Sequence, residues 1–243
     1  FCIKFYKGSG LCLYRPELLI LDMKKQTIHI IAGPTASGKS ARAIELAQQV
    51  NGVIINCDSL QVYKALPTLT AQPSQEDLEI VPHRLYSHLY PNEVCSAGNW
   101  RELVILVIKE VQDEGKTPII CGGTGLYIRS LTDGLSPIPD IPEEVRGAVV
   151  ARYEALGAEA FYAELVKRDP VMAARFHVNH KARIIRAMEV LEATGKSLAE
   201  WQELERDGPP DHWDFKIETI LPERETLYDR CNRRFVHMVE NGA

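Results

Sequence analysis

The 243-residue chain carries 28 Lys and Arg against 33 Asp and Glu, a formal net charge of -5, with 45% hydrophobic and 25% charged residues. That length and balance describe a globular protein of one large domain, or a domain with an inserted lobe. The acidic balance excludes chain-wide electrostatic attraction to nucleic acid but leaves room for a local basic face. No apolar run reaches the roughly 18–20 residues that span a membrane.

Residues 1–22 lack an initiating Met, and Arg15, Pro16 and Glu17 interrupt their apolar run. They are expected to lie outside the fold, which starts after Met23. Thr27–Gly33 (TIHIIAG) is a β-branched run ending in glycine, as a buried parallel strand should. Next comes Gly33-Pro34-Thr35-Ala36-Ser37-Gly38-Lys39-Ser40, a match to G-x-x-x-x-G-K-[ST] between a strand and a helix. Its glycines let backbone N–H groups turn around phosphate oxygens, and the helix N-terminus adds positive dipole. Lys39 supplies a mobile charge, and the Ser40 hydroxyl is placed to ligate Mg²⁺. The loop recognises phosphate, whether of a nucleotide or of another diphosphate.

Ala43, Leu46, Ala47 and Val50 share one helix face, and Asn51-Gly52 stops that helix. Val53–Cys57 (VIINC) reads as a second buried strand ending at Asp58. A carboxylate at a strand's carboxyl end could accept a proton, bind a sugar hydroxyl, hold Mg²⁺ or cap a following helix. A polar stretch from about Lys64 to Pro91 carries no clear periodicity. Trp100, Leu103, Val104, Val107, Ile108 and Val111 then keep helical spacing up to Glu114-Gly115. Thr117–Tyr127 (TPIICGGTGLY) gives a third strand entering a glycine-rich turn with a hydroxyl at Thr124. Nothing resembles an apolar strand ending in a Mg²⁺-holding Asp with a catalytic partner nearby, and the third strand ends in Cys121-Gly122-Gly123, which argues against a motor or switch GTPase and for a group-transfer enzyme. Strand–helix alternation implies a parallel sheet with right-handed crossovers.

Leu135–Glu144 (LSPIPDIPEE) is a stiff linker, and residues 143–205 read as several short helices with starts at Pro142 and Asp169-Pro170. After a second linker, Arg206–Asp211, the run Phe215–Leu221 alternates like a strand, and a charged helix from about Glu223 stops at Asn241-Gly242. The fold class expected is α/β, a P-loop-type parallel sheet core (23–136 and 212–243) interrupted by an all-helical lobe (137–211). Six scattered cysteines, Cys2, Cys12, Cys57, Cys95, Cys121 and Cys231, show no CxxC pair and no metal-ligand spacing. Reduced thiols in a cytoplasmic protein are expected.

The segments GPTASGKS, CDSLQVYK, PHRLY, CGGTGLYIRSLTDGLSPIP and RIIRAMEVLEATGKSL resemble, in order, those of the tRNA dimethylallyltransferases. The resemblance covers roughly residues 27–243. It implies transfer of a dimethylallyl group from dimethylallyl diphosphate to N6 of the adenosine 3′ of the anticodon, assisted by Mg²⁺. It implies Asp58 as the base, Thr124 as a residue that positions the reactants, and Arg230 as a diphosphate contact. It also implies tRNA contacts at Asp58, Ser59, Leu60, Gln61 and Thr124, at Ala182, Arg183, Ile184, Ile185 and Arg186, and at Arg146. The anticodon stem-loop is the expected partner of a monomer, and further helices beyond Ala243 are implied.

Residues 167–186 hold Lys167, Arg168, Arg175, Lys181, Arg183 and Arg186 against Asp169 alone, with His177 and His180 in the same stretch. Such a basic stretch in an acidic chain is either an RNA footprint or a solvated helix surface. Ala65–Ser74 departs from the family pattern, which has a glycine-threonine and a lysine there. Three other classes compete: an adenylate isopentenyltransferase acting on AMP, ADP or ATP, a small-metabolite kinase, and a non-catalytic RNA-binding module. The basic helical insertion argues against the first, and residues 137–211 show no recognisable lid for the second.

Overall fold

The computed structural model describes residues 25–65 and 67–240. Residues 1–22 and the helix stop at Asn241-Gly242 lie outside them. Five strands, β1 (Gln26–Ala32), β2 (Gly52–Asn56), β3 (His83–Arg84), β4 (Thr117–Gly122) and β5 (Trp213–Thr219), form one sheet in the order β3-β2-β4-β1-β5. Every pairing is parallel. All carboxyl ends therefore lie along one edge, with β2, β4 and β1 adjacent at its centre.

Both faces of the sheet are covered over β1, β2 and β4, which is why those strands read as apolar runs. On one face Ile28, Ile30, Val53, Ile55 and Ile120 pack with Trp100, Val104 and Ile108 of α4 (Ala97–Asp113) and with Tyr127 and Leu131 of α5 (Gly125–Thr132). On the other, Ile31, Ile54 and Ile119 pack against Ala43, Leu46 and Ala47 of α1 (Lys39–Val50). Helix α1 ends where the sequence says, with Asn51 left-handed at φ 50 and its N–H on the Ala47 carbonyl. The stretch 64–91 is less irregular than its sequence: it holds α2 (Pro67–Thr70), α3 (Gln75–Ile80) with a Ser74 capping box, and the edge strand β3.

Helices α6 (Glu143–Arg168), α7 (Pro170–Ala173), α8 (Lys181–Thr194) and α9 (Leu198–Glu203) bury a separate cluster around Phe161, Leu165, Ile184 and Met188. Both expected starts are real. Pro142 is the N-cap of α6, and the Asp169 carboxylate accepts the Met172 N–H. Within α6 two helical stretches meet at Gly157, whose φ of 76 and ψ of 170 are non-helical, so residues 143–205 are a series of short helices as expected. The two linkers meet at one point. Leu135 bridges Asp207, and buried Arg101 donates to the carbonyls of Ser130, Asp207 and Gly208 and to the Asp207 carboxylate. Helix α10 (Arg224–Glu240) follows edge strand β5 and buries none of its residues. No described helix is long and apolar enough to cross a membrane.

Candidate active site

The phosphate loop joins β1 to α1 at the centre of the carboxyl edge. Ala36 at φ 61 and Gly38 at φ 97 turn the backbone, and the Ser37 N–H closes onto the Pro34 carbonyl at 3.3 Å. The Lys39 ammonium lies 3.2 Å from the Pro34 carbonyl. Arg230, 193 residues further along, reaches this loop from α10 and donates to the Ser37 carbonyl at 3.1 Å. A guanidinium thus rests against the phosphate loop.

The two other loops abut the first so closely that side chains are excluded. A Cβ on Gly122 would fall 2.1 Å from the Cys57 carbonyl oxygen, and one on Gly123 would fall 2.8 Å from that of Gly33. The Thr124 N–H donates to the Cys57 carbonyl at 3.2 Å, while its hydroxyl oxygen accepts the Ser59 N–H at 3.1 Å. Thr124 therefore fastens the loop that carries Asp58. Asp58 is half-buried, and its Oδ1 accepts the Leu60 N–H at 2.9 Å. One carboxylate oxygen thus serves the local turn, which realises part of the capping alternative. Among the described residues the other oxygen accepts no hydrogen bond.

Beneath these loops a cavity of about 60 Å³ is lined by Ser40, Gln61, Asp77, His83, Tyr86 and Cys121, among others. Burial pushes the Cys121 thiol up to about 11, against the pull of the Lys39 charge, and pushes the Tyr86 hydroxyl up as well. Both are therefore neutral at ordinary pH. A larger cavity, about 340 Å³, lies at the opposite edge against Gln26, His29, Thr117 and Lys216. It is remote from all three loops.

The chain is similar to known proteins over most of its length. The IPP transferase family profile matches residues 61–243. The chain is 46% identical over 214 residues to the tRNA dimethylallyltransferase of Paramagnetospirillum magneticum, covering 88% of this chain and 68% of that protein. The chain belongs to the tRNA dimethylallyltransferase family. A Bradyrhizobium tRNA dimethylallyltransferase is 49% identical, with 70% of its length covered. Among solved structures, a eukaryotic dimethylallyltransferase acting on tRNA matches with a TM-score of 0.76 at 29% identity, covering 89% of this chain. The chain spans 54% of that protein. The full-length tRNA isopentenylpyrophosphate transferase of Bacillus halodurans matches with a TM-score of 0.57 at 34% identity, over 90% of this chain and 67% of its own. Dimethylallyltransferases of this family are prenyl-transferring enzymes that modify adenosine in tRNA.

Away from the three loops, the sites expected to contact tRNA divide sharply. Ala182 and Arg183 are exposed at the start of α8, whereas Ile184 is fully buried in the helical core and Ile185 partly so. Ile184 therefore supports this face without forming it. The basic stretch is also less basic in space than in sequence. Arg168 and Arg152 both bind Glu192, Lys181 binds Glu154, and Arg186 binds Glu189 at 2.7 Å, with Arg146 4.0 Å from the same carboxyl. Burial pushes the Glu192 carboxyl up, but its hydrogen bonds from Arg152 and Arg168 outweigh that and hold it below its ordinary range. Lys167 and Arg183 are exposed and have no recorded ion pair among the described residues.

Proposed function

We propose that this chain transfers the dimethylallyl group of dimethylallyl diphosphate to N6 of the tRNA adenosine 3′ of the anticodon. The observation that carries the reading is the convergence of Lys39, Ser40, Asp58, Thr124 and Arg230 on three abutting loops at one sheet edge. As the C1–O bond of the donor breaks, negative charge grows on the departing diphosphate. The loop amides of Ala36 to Ser40, the Lys39 ammonium and the Arg230 guanidinium are aimed at that charge. As N6 bonds to C1 it must shed a proton, and the free oxygen of Asp58 accepts it. The base has to leave its stack to reach this edge.

Enzymes using prenyl diphosphates generally need a divalent metal, and the donor set here fits Mg²⁺. Ser40 offers an exposed hard hydroxyl oxygen, the donor type Mg²⁺ takes. The Ser40 hydroxyl would hold Mg²⁺, which would supply positive charge against the departing diphosphate.

The anticodon stem-loop would lie along the exposed start of α8. Neutralising Lys167 and Arg183 together should reduce the salt slope of tRNA binding by roughly 1.5–2. Replacing Arg168 or Arg186, already spent on glutamates, should barely change it. A slope that moves only with Arg168 and Arg186 would place the RNA elsewhere.

The acceptor is decided by supplying radiolabelled dimethylallyl diphosphate and Mg²⁺ with unmodified tRNA and with AMP in parallel. Label in tRNA alone is the expected result. Label in AMP would move the protein to the adenylate isopentenyltransferases.

A further inference from the structure

One buried polar side chain beside the site has no part in the mechanism above. Asn56, at the last position of β2, has no exposed surface. Its Oδ1 accepts the Asp58 N–H at 2.9 Å, and its Nδ2 donates to the Asp58 carbonyl at 3.0 Å and to the Leu85 carbonyl at 3.2 Å. Leu85 stands at φ 61, a left-handed conformation costly for a branched side chain, with its carbonyl turned inward to this amide. The main-chain carbonyl of Asn56 accepts the Trp100 indole N–H at 3.0 Å, anchoring the residue from the core side.

A buried carboxamide is costly unless every polar atom is matched. Here each one is, and two of the three side-chain bonds go to the two peptide groups that flank one residue. That pair fixes the orientation of Asp58 through its backbone, independently of anything its carboxylate touches. Thr124 fixes the next residue through the Ser59 N–H. The Asp58 backbone is thus held by a buried clamp, while one oxygen of its carboxylate is held by the Leu60 N–H.

We propose that Asn56 is a positioning residue for the transfer step, holding Asp58 in the pose from which it takes the N6 proton. This rests on the reading of Asp58 as the base. Asn56 touches no substrate, so its loss should lower the transfer rate and leave substrate affinities alone.

The test compares Asn56→Ala and Asn56→Ser in single-turnover transfer, with melting followed by circular dichroism and assays run where each variant is folded. Asn56→Ala should slow transfer about 10- to 100-fold with KM for donor and tRNA within about twofold, and Asn56→Ser should fall between it and wild type. In an Asp58→Ala background, Asn56→Ala should cost nothing further, because the group it positions is gone. That non-additivity is not expected of a residue that only supports the fold. If Asn56→Ala does not fold, Asn56→Ser and Asn56→Asp decide; the aspartate keeps the size and the acceptor but loses both donated bonds. Full transfer in the folded Asn56 variants, a loss carried entirely by KM, or an undiminished further loss in the Asp58→Ala background would overturn the positioning role. Near-normal transfer by Asp58→Asn would overturn the assignment of the base, and the positioning role with it.

Discussion

Asp58→Ala should slow dimethylallyl transfer by about 10²–10⁴-fold while tRNA binding stays close to wild type. The structure explains why the two effects separate. The backbone on either side of Asp58 is held by Asn56, and the next residue by Thr124, so removing the carboxylate leaves the loop clamped. What is lost locally is the turn bond from the Leu60 N–H, about 1 kcal/mol. Single-turnover rates with labelled donor, read beside filter binding of tRNA, measure both quantities on one preparation. Transfer within about tenfold of wild type would be too small for loss of a general base.

Gly122→Ala should be the most damaging single-methyl change at the sheet edge. The added carbon would lie 2.1 Å from the Cys57 carbonyl oxygen and 2.2 Å from its carbon, and both are backbone atoms of a neighbouring strand's exit that cannot rotate away. Relief requires β4 and the Asp58 loop to separate, which breaks the close approach the site depends on. Overpacking usually costs about 1–3 kcal/mol, and a backbone clash belongs at or above the top of that range. At roughly 2–4 °C per kcal/mol for a chain of this size, the melting temperature should fall by about 6–12 °C. Gly125→Ala is the matched control, since a Cβ there meets nothing within 4 Å and Ala suits a first helical turn better. Equal melting temperatures for the two variants would contradict the packing described for the three loops.

Local chemistry made much of this legible in advance. The phosphate loop, the stop at Asn51 and the starts at Pro142 and Asp169 each depend on residues within a few positions of one another, and all appear where the sequence puts them. The parallel sheet followed from apolar runs alternating with helical periodicity. The stretch 64–91 was not legible because its small elements are held by side chains that bond to backbone 9 or 10 positions away, a spacing that matches neither helix nor strand. The Gln61 amide donates to the carbonyls of Thr70 and Ala71, and Gln72 donates to that of Tyr63. Polar side chains spent on backbone look, in sequence, like a loop.

The basic stretch shows the converse. Read along the chain, residues 167–186 face a single acid, but Glu154 and Glu192 reach that window through helix packing, and Glu189 reaches Arg186 one turn further along α8. Arg230 was placed by resemblance alone; its bond to Ser37 spans 193 positions, beyond any local pattern. Asn56 went unnoticed because nothing in VIINC separates a clamp from an ordinary strand end. The one signal available was a polar residue inside an apolar run immediately before a candidate catalytic carboxylate.

The central claim is that the phosphate loop grips a prenyl donor while Asp58 takes a proton from adenosine N6 in tRNA. The measurement that addresses it most directly is nucleoside analysis by mass spectrometry of tRNA incubated with the protein, dimethylallyl diphosphate and Mg²⁺, with oligonucleotide mapping of the modified position. The expected product is N6-dimethylallyladenosine at the position 3′ of the anticodon, absent when Asp58→Ala replaces wild type. A dimethylallyl group on another base or atom, or an undiminished yield with Asp58→Ala, would contradict the account.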